Sequence, residues 1–240
     1  AVEAHAVCET AEKASVRGRA RIRVRIGYAA AAAQGVSGDQ AVSCELPDGR
    51  FALILSDGMG KGAQAAAESR RLVRRLRGNL KKGMSPARAI KEVNRFMIRP
   101  DSFATMDLAL LDREMGQAKF YKMGAASSFL VRGAHVRRIE QAALPIGIIP
   151  TLKLTHRSAP LALGDIIVMV SDGITEADKE DDEARWLQEI LRQIRTGRES
   201  AETIVPRRLA RKILEEAQQR CGCREHDDLT VLVALVESTR

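Results

Sequence analysis

The chain has 240 residues, 45% of them hydrophobic and 29% charged, with a net charge of +8 at neutral pH. That length suits one large domain, and apolar runs of about six residues fall far short of the roughly 20 that a membrane-spanning helix needs. Aromatics are only 3%, so the positive charge lacks the stacking platforms that nucleic-acid surfaces use, and no nucleic-acid partner is expected.

Residues 1–20 show no firm period and read as an N-terminal junction or regulatory tail; residues 21–240 read as one domain. Arg21-Ile22-Arg23-Val24-Arg25-Ile26 alternates as a half-buried strand with its arginines toward water. The strand continues through "GYAAAAA" and meets "QGVSGDQ". "AVSCEL" and "FALILS", joined by Pro47-Asp48-Gly49, predict a hairpin. Leu72, Leu76 and Leu80 recur every four residues and predict an amphipathic helix over about 62–81, with its arginines solvated. A second helix opens at Ser85-Pro86, serine as the cap and proline in the first turn, and runs to about Ile98. Strands follow at "FATMDLALLD", "QAKFYKMGA", "SSFLVRG", "HVRRIE", "KLTHRSAPL" and "GDIIVMVSDG". Helices over 182–195 and 201–219 precede a last strand, "LTVLVALVE" (229–237).

Helices thus arrive in pairs rather than after each strand, which argues against a doubly wound parallel sheet. The order predicts an α+β fold, a four-layer α-β-β-α sandwich in which two antiparallel sheets are flanked by helix pairs. Cys8, Cys44, Cys221 and Cys223 lack the density and spacing of a disulfide scaffold, which favours a reduced, cytosolic setting. "CGCREH" sets two thiols near His226, but a lone Cys-x-Cys with no second pair reads as a loop rather than a zinc site.

The chemistry lies in the carboxylates. "FALILSDGMGKG" and "DIIVMVSDGIT" each carry an apolar run into the same Ser-Asp-Gly, at Asp57 and Asp172. Asp39 in "SGDQ" stands just before a strand, and Asp227 and Asp228 in "EHDDLTVLV" stand just before the last one. Taken singly, Asp-Gly is ordinary turn chemistry. Four such places together point to acids converging at one rim of the sandwich. Clustered acids cannot all ionise without a counter-cation, and an all-oxygen set favours Mg²⁺ or Mn²⁺ over zinc. The residues alone suggest a two-metal hydrolytic site and leave its substrate open.

"SGDQ", "SDGMGKGAQAAAES", "TMDLALLD", "LPIGII", "GDIIVMVSDGITEA" and "DDLTVLV", in this order and spacing, resemble the PPM/PP2C-like serine/threonine phosphatases. Within them the set looks most like the stage II sporulation protein E branch, over roughly residues 25–237. The resemblance implies the same sandwich and two Mn²⁺ (or Mg²⁺) ions. It implies that Asp57 bridges both, that Gly58 lends its carbonyl to one, and that Asp39 serves the second. Asp172 and Asp227, with Asp228 as fallback, would serve the first, and Asp57 and Asp39 would be the catalytic carboxylates.

The implied reaction is direct attack of a metal-bridging water on a phosphoserine, without a covalent phosphoenzyme. The implied partner is a phosphorylated anti-anti-sigma protein (SpoIIAA-like), and dephosphorylation would activate a sporulation sigma factor. A stress-response (RsbU-like) phosphatase and a turnover-less binding module on the same fold are the alternatives. The resemblance also implies a cytosolic domain, with a membrane tether in a longer protein and the oligomeric state, a homodimer included, left open. Met59 stands where eukaryotic relatives carry a histidine, so the general acid is unassigned. Lys61 is weighed as a phosphate contact against an ordinary loop lysine. The helix over 62–81 leaves directly from the Asp57 loop and reads as a lever on it.

Overall fold

The structure, a computed structural model, describes residues 22–33, 35–99, 102–178, 180–181, 184–196, 204–222 and 226–238. The N-terminal junction (1–20) and residues 223–225 of "CGCREH" lie outside them. Strands β1 (Ile22–Ala31), β2 (Asp39–Glu45) and β3 (Phe51–Asp57) lead into helices α1 (Gly62–Lys81) and α2 (Pro86–Met97). Next come β4 (Met106–Asp112), β5 (Gln117–Met123), β6 (Ser128–Arg132), β7 (His135–Ile139), β8 (Arg157–Pro160) and β9 (Ile166–Val170). A one-turn helix α3 (Asp172–Thr175), then α4 (Arg185–Thr196), α5 (Pro206–Cys221) and β10 (Leu229–Ser238) complete the chain.

The strands form two antiparallel five-stranded sheets, in the orders β1-β10-β9-β6-β7 and β2-β3-β4-β5-β8. Their inner faces interdigitate through Leu53, Leu55, Phe120, Leu130, Ile167 and Leu232. The second sheet buries its outer face under Leu72, Leu76 and Leu80 of α1 and Ile90 and Val93 of α2. The first buries its outer face under Leu187 and Leu191 of α4 and Leu209 and Ile213 of α5. This is the expected four-layer α-β-β-α sandwich. Among the described residues no helix is long and apolar enough to cross a membrane.

Local chemistry sets the element ends. The β2–β3 hairpin closes through Leu46 and Arg50, whose backbones are 2.8 Å apart, and Gly49 takes a left-handed φ of 81°. Ser85 caps α2, its Oγ accepting from the Arg88 amide at 3.4 Å, with Pro86 following as the first helical residue.

Three expectations change. Asp39 opens β2 rather than preceding it, because it pairs across the ladder with Asp57. Strand β9 ends at Val170, and Asp172 begins α3, a helix too short to leave a periodic trace in sequence. Helix α5 starts at Pro206 rather than 201: proline fits a first turn, where its missing N–H is no loss, and Ile204 is instead buried in the core ahead of it.

Candidate metal centre

The ladder between β2 and β3 places Asp39 directly opposite Asp57. Strands β9 and β10 are neighbours in the other sheet, so Asp172, just after β9, and Asp227 and Asp228, just before β10, arrive together. Both sheets end at this rim. All five predicted carboxylates meet here: Asp172, Asp39, Asp227 and Asp228 each act electrostatically on Asp57.

Asp39 is 3% exposed, and neither of its carboxylate oxygens has a hydrogen-bond partner. Burial, with the charges of Asp172 and Asp228 behind it, pushes its carboxyl up to about 7. The Thr230 and Ser171 hydroxyls lie close enough to pull the other way, but neither reaches bonding geometry, and the Thr230 hydroxyl is itself unpaired. Asp57 is pushed further, to about 9, by burial and then by Asp172, Asp39, Asp227 and Asp228. Asp172 is raised as well, by burial first and by Asp227 and Glu176 after it, while the Gly173 amide restrains the rise. Such surroundings favour the protonated form of these acids, and a cation joining them reverses that preference.

The scaffold around them is tight. Gly58 has no room for a side chain: a Cβ there would stand 1.9 Å from the Ala65 carbonyl oxygen on α1. The backbone of Asp57 is clamped by Thr105, whose Oγ1 accepts from the Asp57 amide at 2.9 Å and whose own amide donates to the Asp57 carbonyl at 2.8 Å. Asp228 is engaged differently from its neighbours. Its Oδ1 accepts from the Ala33 amide at 2.7 Å and its Oδ2 from the Gly38 amide at 2.6 Å, so it holds the loop that delivers Asp39. Asp227 accepts from the Asp228 amide through Oδ1 at 2.8 Å.

Oxygen donors without histidine or thiol, gathered around a buried carboxylate with two unused oxygens, fit a hard divalent cation. Among the described residues, no three His, Cys, Asp or Glu side chains stand close enough together to hold a metal ion between them as placed. His226 turns its Nδ1 to the Asp227 carbonyl at 2.8 Å, and Cys221 is buried on α5. Met59 is exposed beside Gly58, and Lys61 is the exposed N-cap residue of α1.

Sequence reasoning missed Thr105, and it missed a second charged group nearby. Asp107 of β4 and Lys122 of β5 are cross-strand partners, 1% and 0% exposed. The Lys122 ammonium donates to Asp107 Oδ2 and, at 2.8 Å, to Ser128 Oγ of the opposite sheet. The signal was present, a lysine and an aspartate in strand runs that are otherwise apolar.

A two-sheet sandwich with helix pairs outside and acids at one rim is the PP2C-like phosphatase class. The solved PP2C phosphatase domain of SpoIIE from Bacillus subtilis, with a fragment of its regulatory domain, superposes with a TM-score of 0.82 at 31% identity, over 92% of this chain and 65% of that one. The RsbU and RsbW domains of a Mycobacterium tuberculosis protein give 0.74 at 26% identity, over 90% of this chain and 61% of theirs. Stage II sporulation protein E of Bacillus subtilis (strain 168) is 33% identical over 221 residues, 90% of this chain but 26% of that protein. The stage II sporulation protein E (SpoIIE) family model matches residues 47–237, and the chain belongs to that family. It spans about a quarter of the length of that Bacillus relative.

Proposed function

We propose that the domain over residues 21–240 is a Mn²⁺- or Mg²⁺-dependent phosphoserine protein phosphatase whose substrate is a phosphorylated anti-anti-sigma protein. The observation that carries the metal assignment is Asp39, buried with both oxygens unpaired amid four other carboxylates. Asp57 and Asp39 would hold one ion, and Asp172 and Asp227 with Asp57 the other, with the Gly58 carbonyl completing the set. When bound, a pair of divalent cations supplies the lowered water pKa and the charge neutralisation that in-line hydrolysis of a phosphate ester needs. The chain contributes orientation: Thr105 fixes the backbone of Asp57, and Asp228 fixes the loop before Asp39. No buried cysteine or serine is needed as a nucleophile.

The SpoIIE relatives support a sporulation role, and a cytosolic site of action is part of the same proposal. The RsbU likeness supports the second reading, in which the same chemistry serves a stress-response anti-anti-sigma partner. The test is phosphate release from each of the two phosphoproteins, with and without Mn²⁺, for the wild type and Asp57→Asn. We expect Mn²⁺-dependent turnover that the substitution abolishes. Metal-independent turnover, or an active variant, would sink the mechanism.

A further inference from the structure

Beside Asp172 the rim opens into a groove of about 1040 Å³. Gly124, Ala125, Ala126 and Ser127, the crossover from β5 to β6, line it, and side chains this small let another polypeptide backbone come close. Charges of both signs line the rest. Arg138 and Arg157 come from β7 and β8, one edge strand of each sheet. Glu176, Asp178 and Asp181 come from the segment that follows Asp172.

Most of these charges are already engaged. Arg138 Nε donates to Ser127 Oγ at 2.7 Å and pairs with Glu140 at 3.0 Å. Asp178 pairs with Arg220 at 3.2 Å, and Asp181 Oδ2 accepts from the Trp186 amide at 2.8 Å. Arg157 and Glu176 differ. Both are exposed, and neither has an ion pair or a side-chain hydrogen bond among the described residues. Glu176 also lies close enough to Asp172 for its charge to act on that carboxyl. An anion without an ion pair therefore sits beside Asp172, and a cation without one lines the same groove, the two unpaired with each other.

We propose that this groove seats an extended segment of the phosphoprotein and that Glu176 and Arg157 read its charges, a basic residue near the phosphoserine and an acidic one further along. It rests on the phosphatase reading above and adds the chemistry of the partner. Ion pairs at such exposed positions are individually weak. Two of them acting together set a preference among substrates without setting the chemical step.

Fluorescence anisotropy on the full chain with Mn²⁺ tests it, using peptides built on a non-hydrolysable phosphonate analogue of phosphoserine. Each peptide is symmetric about that residue, so chain direction does not matter. One has lysines near and glutamates far; the other has them exchanged. The wild type should bind the first about tenfold more tightly, and Arg157→Glu/Glu176→Lys should reverse the order. Equal binding, absent binding, or an order that survives the exchange overturns the groove. If circular dichroism shows the double variant unfolded, Arg157→Gln and Glu176→Gln singly should each shrink the preference, and an undiminished preference overturns it. Phosphate release from the matching phosphopeptides separates the two readings. Selective binding without release would sink the phosphatase reading and leave the groove standing.

Discussion

At the start of β10 two adjacent aspartates meet different surroundings. Asp228 spends both oxygens on the Ala33 and Gly38 amides, while Asp227 accepts from the Asp228 amide through one oxygen and its charge acts on Asp57 and Asp172. Charge-assisted bonds to buried and half-buried amides are costly to lose, so Asp228→Ala should destabilise the metal-free protein by about 2–4 kcal/mol. Asp227→Asn should leave thermal unfolding in chelator near wild type and weaken Mn²⁺ binding by about tenfold or more. Calorimetric metal titration beside a melting curve checks both, and the opposite assignment would exchange the two results. The pattern of the sequence pointed both aspartates to the rim and the family resemblance favoured Asp227, but only the folded loop reveals what Asp228 does. Its partners are backbone amides nearly 200 residues away in sequence, and amides carry no side-chain signature. Thr105 escaped notice for the same reason: what it grips is the main chain of Asp57.

Between elements, the Asp107–Lys122–Ser128 group joins β4 and β5 of one sheet to β6 of the other. A buried ion that loses its partner is left uncompensated, whereas removing both charges together is far milder. Lys122→Met should therefore cost about 3–5 kcal/mol, and Asp107→Leu/Lys122→Met should recover most of it. Urea melts of the two variants decide the matter; a double variant no better than the single would show that the pair is not the stabilising unit. Helices and strands were legible wherever a face repeats, as with Leu72, Leu76 and Leu80 on α1, all buried against β2 and β3. Legibility failed at short or interrupted pieces. One turn of α3 has no period to detect, and the start of α5 is set by Pro206 together with the burial of Ile204, a tertiary fact. The lever reading of α1 gains a physical contact, since the backbone of Gly58 packs against the carbonyl of Ala65 without space for a methyl group. Gly58→Ala should thus push α1 outward and lower Mn²⁺ affinity even though no carboxylate is touched.

Over the whole molecule, the rim acids make stability depend on pH in a direction that opposes the usual effect of carboxylates. Asp48, held low by its bonds to Arg50, is typical: it contributes stability above the ordinary carboxylate range and loses it in acid. Asp39, raised to about 7, and Asp57, raised to about 9, behave the other way. In the unfolded chain both ionise near pH 4, so between there and their folded values the native state binds more protons than the unfolded state. Stability must then fall as pH rises across that window. Lys122, whose ammonium is disfavoured by burial, acts oppositely at the alkaline end, so the rim contribution is isolated by comparison with Asp57→Asn. The metal-free protein should lose about 5 °C or more of Tm between pH 5 and 8.5, and Asp57→Asn should flatten that slope. A cation displaces protons from the same oxygens, so Mn²⁺ should raise Tm more at pH 8.5 than at pH 6 and release protons measurable in buffers of different ionisation enthalpy. A Tm that climbs over this range without metal, or a Mn²⁺ effect independent of pH, would mean that the rim carboxyls are not held neutral by burial and by one another and that the cluster is not where the ion binds.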